Sequence, residues 1–389
     1  MDELTTPVAL ILFNRPDLVA AVFATIRAAR PTRLFLIADG PRRDHPAEAE
    51  LCAAARAVAE QVDWPCQVER IYAGENLGCN QRVVSGLDWL FAQVEEAIIL
   101  EDDVLPEPSF FAYCQSLLAR YRNAERVLGI GGYNALGEWS AGDSSYVIHR
   151  LPAIWGWATW RRAWQRYDLR LSRYRHLDVH QQLAAHLPDA QQVAYRQHLY
   201  DASLENSSIS WDIQWSLISC LVGGLWISPA TNLITNIGFD PRATHNRTMD
   251  DLRSRTRAGA MPLPPVHPRG ELADAIDDRF DRWVFLLQML NTYRDVRALW
   301  TWQRAMQQRP ELTMPGIQAG GRPFLAPLAD PVELGQVLDH LAAHVDEHPR
   351  LCALRATLAA LPRSATDASG SRRALPQSLP AEARRGGQR

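Results

Sequence analysis

The sequence predicts an α/β fold, a mostly parallel sheet flanked by helices, followed by a helical C-terminal extension. Three observations carry this. The first 135 residues alternate short apolar runs with stretches of helical spacing, the pattern of strands joined by right-handed crossovers. The apolar runs end in polar residues ("FNRP", "IADG", the 74–80 loop, "LEDD"), and parallel sheets bind ligands at such strand ends. Residues 273–308 and 332–360 have the apolar spacing of amphipathic helices.

Taken in order, "PVALILFNRP" (7–16) is a strand stopped by Asn14, Arg15 and Pro16, and Leu18, Val22 and Ile26 give the next segment helical spacing. "RLFLIADG" (33–40) is a second strand closed by Asp39 and Gly40. The Ala-rich 47–61 is a helix and "CQVERIYA" (66–73) a third strand. Residues 80–94 are amphipathic, with Val83, Val84, Leu87, Leu90 and Phe91 on one side. "EAIILEDD" is the fourth strand, after which Pro106 and Pro108 open a helix from about Ser109 to Tyr121. Beyond 127 the pattern is mixed. Trp157, Trp160 and Trp164 recur at i, i+3 and i+7, as on a core-packing helix, and Trp155-Gly156 falls in the loop before it. A helical stretch over 180–201, "SISWDIQWSLISCLVGGLWISP" and an irregular segment to His245 follow. A Pro/Gly-rich link spans 309–331, and residues 363–389 lack periodicity and are expected to be disordered.

At 389 residues and 47% apolar, the chain can bury one large core or two smaller ones. A net charge of -3 gives no general attraction to nucleic acid or anionic membranes. All 41 basic residues are Arg, as a GC-rich genome favours, and this excludes Lys chemistry. Cys52, Cys66, Cys79, Cys114, Cys220 and Cys352 show neither CxxC nor metal-ligand spacing, so reduced structural thiols of a cytoplasmic protein are expected. Val8–Phe13 is too short for a signal peptide, and no apolar stretch approaches the roughly 18–20 residues of a membrane span. The expectation is a cytoplasmic protein, with peripheral association at the inner face of the membrane left open. Oligomeric state is not legible.

Glu101, Asp102 and Asp103 pose the central question, because three adjacent carboxylates ending a buried strand call for a positive partner. A hard divalent cation takes one or two carboxylates plus substrate phosphates, which fits such a strand end. A solvated acidic turn before Pro106 is the plainer alternative, and turn chemistry alone explains Asp39-Gly40 equally well.

In its first 245 residues the chain resembles the GT-A nucleotide-sugar glycosyltransferases, most closely the N-acetylglucosaminyltransferase I family. "EDDVLPEPSFFAYCQSLL" has the form of that family's DxD segment. "FNRP" resembles the Cys-Asn-Arg closing its first strand, "IADGPR" its Gln-Asp strand end, and "YNALG" its Trp-Asn-Asp-Asn-Gly. "LPAIWGWATWRRAW", "WDIQW" and "ISPATNLITNIGFDPRATH" follow in the family's order, and "NLGCN" is similar to bacterial family-2-like transferases.

The resemblance implies a Rossmann-like GT-A fold. Residues 1–135 would be the donor-binding half, 136–262 the acceptor and catalytic half, and 263–362 a helical extension without a family counterpart. Arg15, Asp39 and Gly40 would contact the uridine, with Asp39 accepting from the uracil N–H. Glu101 and Asp102 would border ribose and phosphates, and Asp103 would ligate Mn²⁺ or Mg²⁺; Arg82, in "NLGCNQR", where the chain departs from the eukaryotic pattern, is a candidate phosphate contact that the resemblance does not supply. Trp155, Gly156 and Trp211 are the expected acceptor contacts. His245 is a candidate late metal or phosphate contact, with a plain surface-loop histidine as the alternative. Asp212 would be the general base. Here the chain departs from the family: Ile213 stands at the second Asp of Trp-Asp-Asp-Trp, with one residue inserted before Trp215.

The implied chemistry is inverting transfer of a sugar, by the resemblance GlcNAc, from a UDP-sugar to a glycan or glycolipid hydroxyl, as in cell-surface polysaccharide assembly. General-base help there is worth roughly 10²–10⁴-fold. Asp212 also suits a helix N-cap, where Ser210 competes with it. A nucleotidyltransferase would carry a Gly-rich loop after the first strand, which "FNRPD" lacks. A glycosidase would need two carboxylates about 5–10 Å apart and would leave Arg15 and Asp39 idle. An inactive nucleotide-sugar-binding protein of the same fold stays open.

Overall fold

The computed structural model describes residues 3–140, 142–205, 209–239, 251–292, 318–319, 322–323 and 331–359. An eight-stranded sheet lies at its centre, built from β1 (Val8–Leu12), β2 (Arg33–Ala38), β3 (Gln67–Tyr72), β4 (Glu96–Glu101), β6 (Val127–Gly131), β7 (Tyr146–His149), β8 (Trp157–Trp160) and β9 (Leu225–Pro229). Their order is β3-β2-β1-β4-β8-β6-β9-β7. The β1, β2, β3 and β4 strands are parallel, β8 runs against β4 and β6, and β7 against β9. A two-stranded ribbon pairs β5 (Val104–Pro106) with β10 (Ile234–Asn236).

The strands read as continuous apolar runs because both sheet faces are covered. Alternate residues serve opposite cores: Val8, Leu10, Leu12, Leu34 and Leu36 pack on one side, Ala9, Ile11, Phe35 and Ile37 on the other. The helices α1 (Pro16–Ala29), α2 (Glu48–Ala59) and α4 (Ser109–Tyr121) contribute to the first core. The second takes α3 (Cys79–Phe91), α5 (Arg161–Trp164), α6 (Val179–His186), α7 (Ala190–Glu205) and α8 (Trp211–Leu221). A third core joins Trp139 and Val147 to α9 (Asp278–Thr292), α10 (Pro331–His344) and α11 (Pro349–Ala359). This is the expected Rossmann-like α/β architecture with C-terminal helices. Among the described residues no helix is long and apolar enough to cross a membrane. All six cysteines are free.

Two expectations change. Trp157–Trp160 is strand β8, and only Arg161–Trp164 is helical. The tryptophans do pack a core, but β8 fills the slot between β4 and β6, and this pairing overrides the helical spacing. Pro106 closes β5 instead of opening α4, so the acidic triplet turns at once into the ribbon with β10. His245, the 293–308 part of the expected long helix and the tail from 363 lie outside the described residues.

Candidate active site

The polar ends of β1, β2 and β4 meet on one edge of the sheet. Asp39, at the end of β2, is 4% exposed. Its Oδ1 accepts from the backbone N–H of Gly40 (2.8 Å) and Leu77 (2.8 Å). Its Oδ2 accepts from Asn76 Nδ2 (3.0 Å) and Gly78 N (3.1 Å). Four donors occupy the roughly four lone-pair sites of a carboxylate, so Asp39 fastens the 74–78 loop to the sheet. Gly40 belongs to the same fastening, since a Cβ there would lie 2.4 Å from the Glu75 carbonyl carbon. The expected contact with a uracil N–H competes with these four donors.

The positive partner of the acidic triplet is Arg15. Its Nη2 donates to Asp102 Oδ1 at 2.5 Å and to Asp103 Oδ2 at 2.9 Å, and Asp102 Oδ2 also accepts from Phe13 N at 3.0 Å. One guanidinium does not balance the edge. Burial and the charges of Asp103, Asp102 and Asp212 push Glu101 upward against the opposing pull of Arg15. Asp102 is raised by burial, with Arg15 again opposing. At the start of α3, desolvation and then the charges of Glu101, Asp212, Asp39 and Asp103 push the Cys79 thiol up to about 12. Arg82, one turn further along α3, is 3% exposed; its Nε and Nη2 have no hydrogen-bond partner among the described residues, and burial lowers its pKa.

No group of three or more His, Cys, Asp or Glu able to hold a metal occurs among the described residues. The donor set nonetheless fits a cation shared with a diphosphate, which asks the protein for only one or two carboxylates. The carboxylate excess supplies the charge, and among the described residues the Asp103 side chain hydrogen-bonds only Arg15, through Oδ2. The 236–239 loop rests on this residue: Ile237 N donates to the Asp103 backbone carbonyl at 2.8 Å, and a Cβ on Gly238 would fall 2.2 Å from Oδ2.

Asp212 connects this edge to a cavity. The α8 N-terminus is fixed by Asn80, whose Nδ2 donates to Ile209 O and whose Oδ1 accepts from Trp211 N, both at 2.8 Å. Ser210 occupies the N-cap position without a side-chain bond, so Asp212 in the first turn is not the cap. Its carboxylate lines a cavity of about 180 Å³ together with Trp155, Arg196, Ser216, Arg253 and residues of α9. The charge of Asp212 is felt both by Glu101 on the edge and by Arg253 in the cavity. Trp155 forms a shelf there, with Tyr133 at 4.7 Å between ring centroids and the Arg253 guanidinium 4.9 Å above its ring. Arg253 is held by Asp251 through Nε to Oδ1 at 2.9 Å and Nη2 to Oδ2 at 2.6 Å.

Of the three expected acceptor contacts, only Trp155 lines the cavity. Trp211 is buried against Trp157, its ring centroid 6.2 Å away. Gly156 serves the backbone: φ is +60°, and a Cβ would lie 2.5 Å from Ile234 Cδ1. Sequence reasoning missed Asn80, Arg196, Gly238 and Arg253. Only Asn80 and Gly238, inside the quoted "NLGCN" and "NIGFD", carried any signal.

No protein-family model and no curated protein matches the chain. Among solved structures it is similar to UDP-glucose pyrophosphorylase complexed with UDP-glucose, at 9% identity and a TM-score of 0.28, over 60% of this chain and 94% of that one. The apo form of UDP-glucose pyrophosphorylase gives 11% identity, a TM-score of 0.28 and coverage of 59% and 93%. The 4-diphosphocytidyl-2C-methyl-D-erythritol synthase of Anaerococcus prevotii DSM 20548 gives 11%, 0.28, and coverage of 45% and 80%. Likenesses this distant assign no activity.

Proposed function

We propose that the protein is an inverting GT-A glycosyltransferase that moves a sugar from a UDP-sugar to a hydroxyl of a glycan or glycolipid, with Asp212 as general base. The observation that carries this is the position of Asp212: on the wall of a cavity, beside the carboxylate edge, and not used as a helix cap. A base in inverting transfer must face the acceptor on one side and the donor on the other. The donor would lie across the β1, β2 and β4 ends, where Asp39 and Gly40 shape the loop and Arg15 orients Asp102 and Asp103. Asp103, with Glu101 alongside, would hold Mn²⁺ or Mg²⁺, whose bound form neutralises the leaving diphosphate. Trp155 would border the acceptor sugar, and GlcNAc as the donor sugar rests on the family resemblance alone.

The deciding experiment is thermal unfolding with nucleotides, with and without Mn²⁺. A ligand at 100 times its Kd stabilises by about 2.7 kcal/mol, a shift of several degrees. UDP with Mn²⁺ should raise the midpoint of the wild type but not of Asp103→Ala. Absence of a nucleotide response with any metal would sink the reading. Pyrophosphate release from UTP and a sugar 1-phosphate would assign nucleotidyl transfer instead.

A further inference from the structure

The cavity beside Asp212 contains a charge that the proposed chemistry does not use. Arg196, on α7, is 3% exposed and lines the cavity wall. Its Nη1 donates to Ser216 Oγ at 2.9 Å, its guanidinium lies 5.7 Å from the Tyr195 ring centroid, and its Nε, fully buried, has no hydrogen-bond partner among the described residues. Among the described residues no carboxylate lies within ion-pairing distance of it. Of the nearby acids, Asp251 holds Arg253, Asp281 accepts from Arg150 N at 2.9 Å and Arg150 Nη1 at 2.8 Å, and Asp212, which lines the same cavity, makes no ion pair with Arg196. His149, also on the wall, adds no cation, because burial and then Arg150 push its imidazole down to about 3. A buried guanidinium left without an anion carries an uncompensated desolvation cost.

We propose that this cavity takes an anionic acceptor, a sugar or short polar headgroup bearing a carboxylate or phosphate ester, whose charge is bound by Arg196. This rests on the glycosyltransferase reading. The spacing supports it. Ser216, which fixes the guanidinium, is four residues after Asp212 on the same face of α8, about one helical turn of 5.4 Å away. An anion seated on Arg196 therefore leaves a hydroxyl across one sugar ring to meet Asp212. The roughly 180 Å³ cavity holds about six waters at about 30 Å³ each, space on the order of a single ring. Trp155 lines it too and offers that ring an apolar face.

The test compares D-glucuronate, glucose 6-phosphate and glucose at equal concentration, with and without UDP and Mn²⁺, by saturation-transfer NMR and thermal shift. At least one anionic sugar should bind the wild type clearly more tightly than glucose, and the carboxylate and phosphate arms show which anion is preferred. Arg196→Gln should weaken the anionic sugar about ten- to a hundredfold while leaving glucose and UDP unchanged, and Arg196→Lys should retain most of the preference. A guanidinium that merely packs the core would not alter selectivity between charged and neutral sugars. Equal binding of glucose by the wild type, no binding of either anion, or an undiminished preference in Arg196→Gln overturns the proposal. The wild-type comparison stands even if Arg196→Gln fails to fold. If UDP with Mn²⁺ stabilises but the anions do not bind, this inference falls and the transferase reading survives. Anion binding at Arg196 without any nucleotide response gives the reverse.

Discussion

The sheet edge and the neighbouring cavity treat buried charge in opposite ways, with Asp212 at their border. On the edge a single Arg15 serves Asp102 and Asp103, and Glu101 is still pushed upward by burial and the surrounding acids. In the cavity Arg253 is matched by Asp251, while Arg196, among the described residues, has a hydroxyl and the Tyr195 ring but no carboxylate partner. The same physics accounts for both. Each region leaves one sign of charge in excess, and stability alone would favour cancelling it. An excess of carboxylate fits a metal-bound diphosphate, and an excess of guanidinium fits an anionic acceptor. The contrast teaches that unbalanced burial, more than any single motif, marks where this fold expects its ligands.

The strongest way to break the comparison is Asp212→Asn, which keeps the shape and removes the base. Transfer should fall about 10²–10⁴-fold, while the UDP-dependent thermal shift stays at its wild-type value. A rate within threefold of wild type would remove Asp212 from the chemistry. Next is Arg15→Gln, which leaves two largely buried carboxylates facing each other; the side chains of Asp102 and Asp103 are 6% and 17% exposed. Breaking such a pair costs about 3–5 kcal/mol, read from urea unfolding. Mn²⁺ should restore part of the loss if the edge accepts a cation. A cost below about 1 kcal/mol would mean the edge is solvated after all. A smaller effect is expected from Gly238→Ala, whose Cβ would overlap the Asp103 carboxylate. Displacing the loop costs about 1–3 kcal/mol and should weaken the Mn²⁺ dependence of UDP binding. Gly74→Ala, with nothing within 4 Å of its Cβ, is the neutral control.

The edge was largely legible in the sequence because its signals are local: an apolar run, then Asn14-Arg15, Asp39-Gly40 or Glu101-Asp102-Asp103. What these residues do to one another was not legible. Arg15 meets Asp102 across 87 positions, and Asp39 meets Leu77 across 38. Trp157 to Trp160 misled because four residues satisfy a helical spacing and a strand alternation equally, and only pairing with β4 and β6 decides. The cavity was nearly invisible. Arg196 sits in a polar-looking helix where an Arg reads as a solvated face, and its burial follows from how α7 packs on α8.

His149 offers the finest test, because the contrast requires the cavity's excess charge to belong to Arg196 alone. The imidazole is 1% exposed, hydrogen-bonded to Ser228 Oγ at 2.9 Å, and held neutral by burial and Arg150 down to about pH 3. Unfolded, it takes a proton near 6.5. Its pKa is depressed by folding, so its contribution is complete above about pH 6.5 and is lost as pH falls towards 3, at about 1.4 kcal/mol per unit. Asp281, raised by burial to about 6, acts in the opposite sense: the fold takes up its proton before the unfolded chain does. Acidification from about pH 6 to 4 therefore gains on Asp281 while it loses on His149, and the raised carboxyls of Glu101 and Asp102 add to the gain. His149→Gln removes the loss at a position whose Nδ1 lies 3.8 Å from Asp281 Oδ1. Relative to wild type the variant should gain about 1.4 kcal/mol per unit between pH 6 and 4, measured by urea unfolding at half-unit steps. Parallel profiles would mean that His149 is already charged in the fold, making it a second cation in the cavity and weakening the case for Arg196.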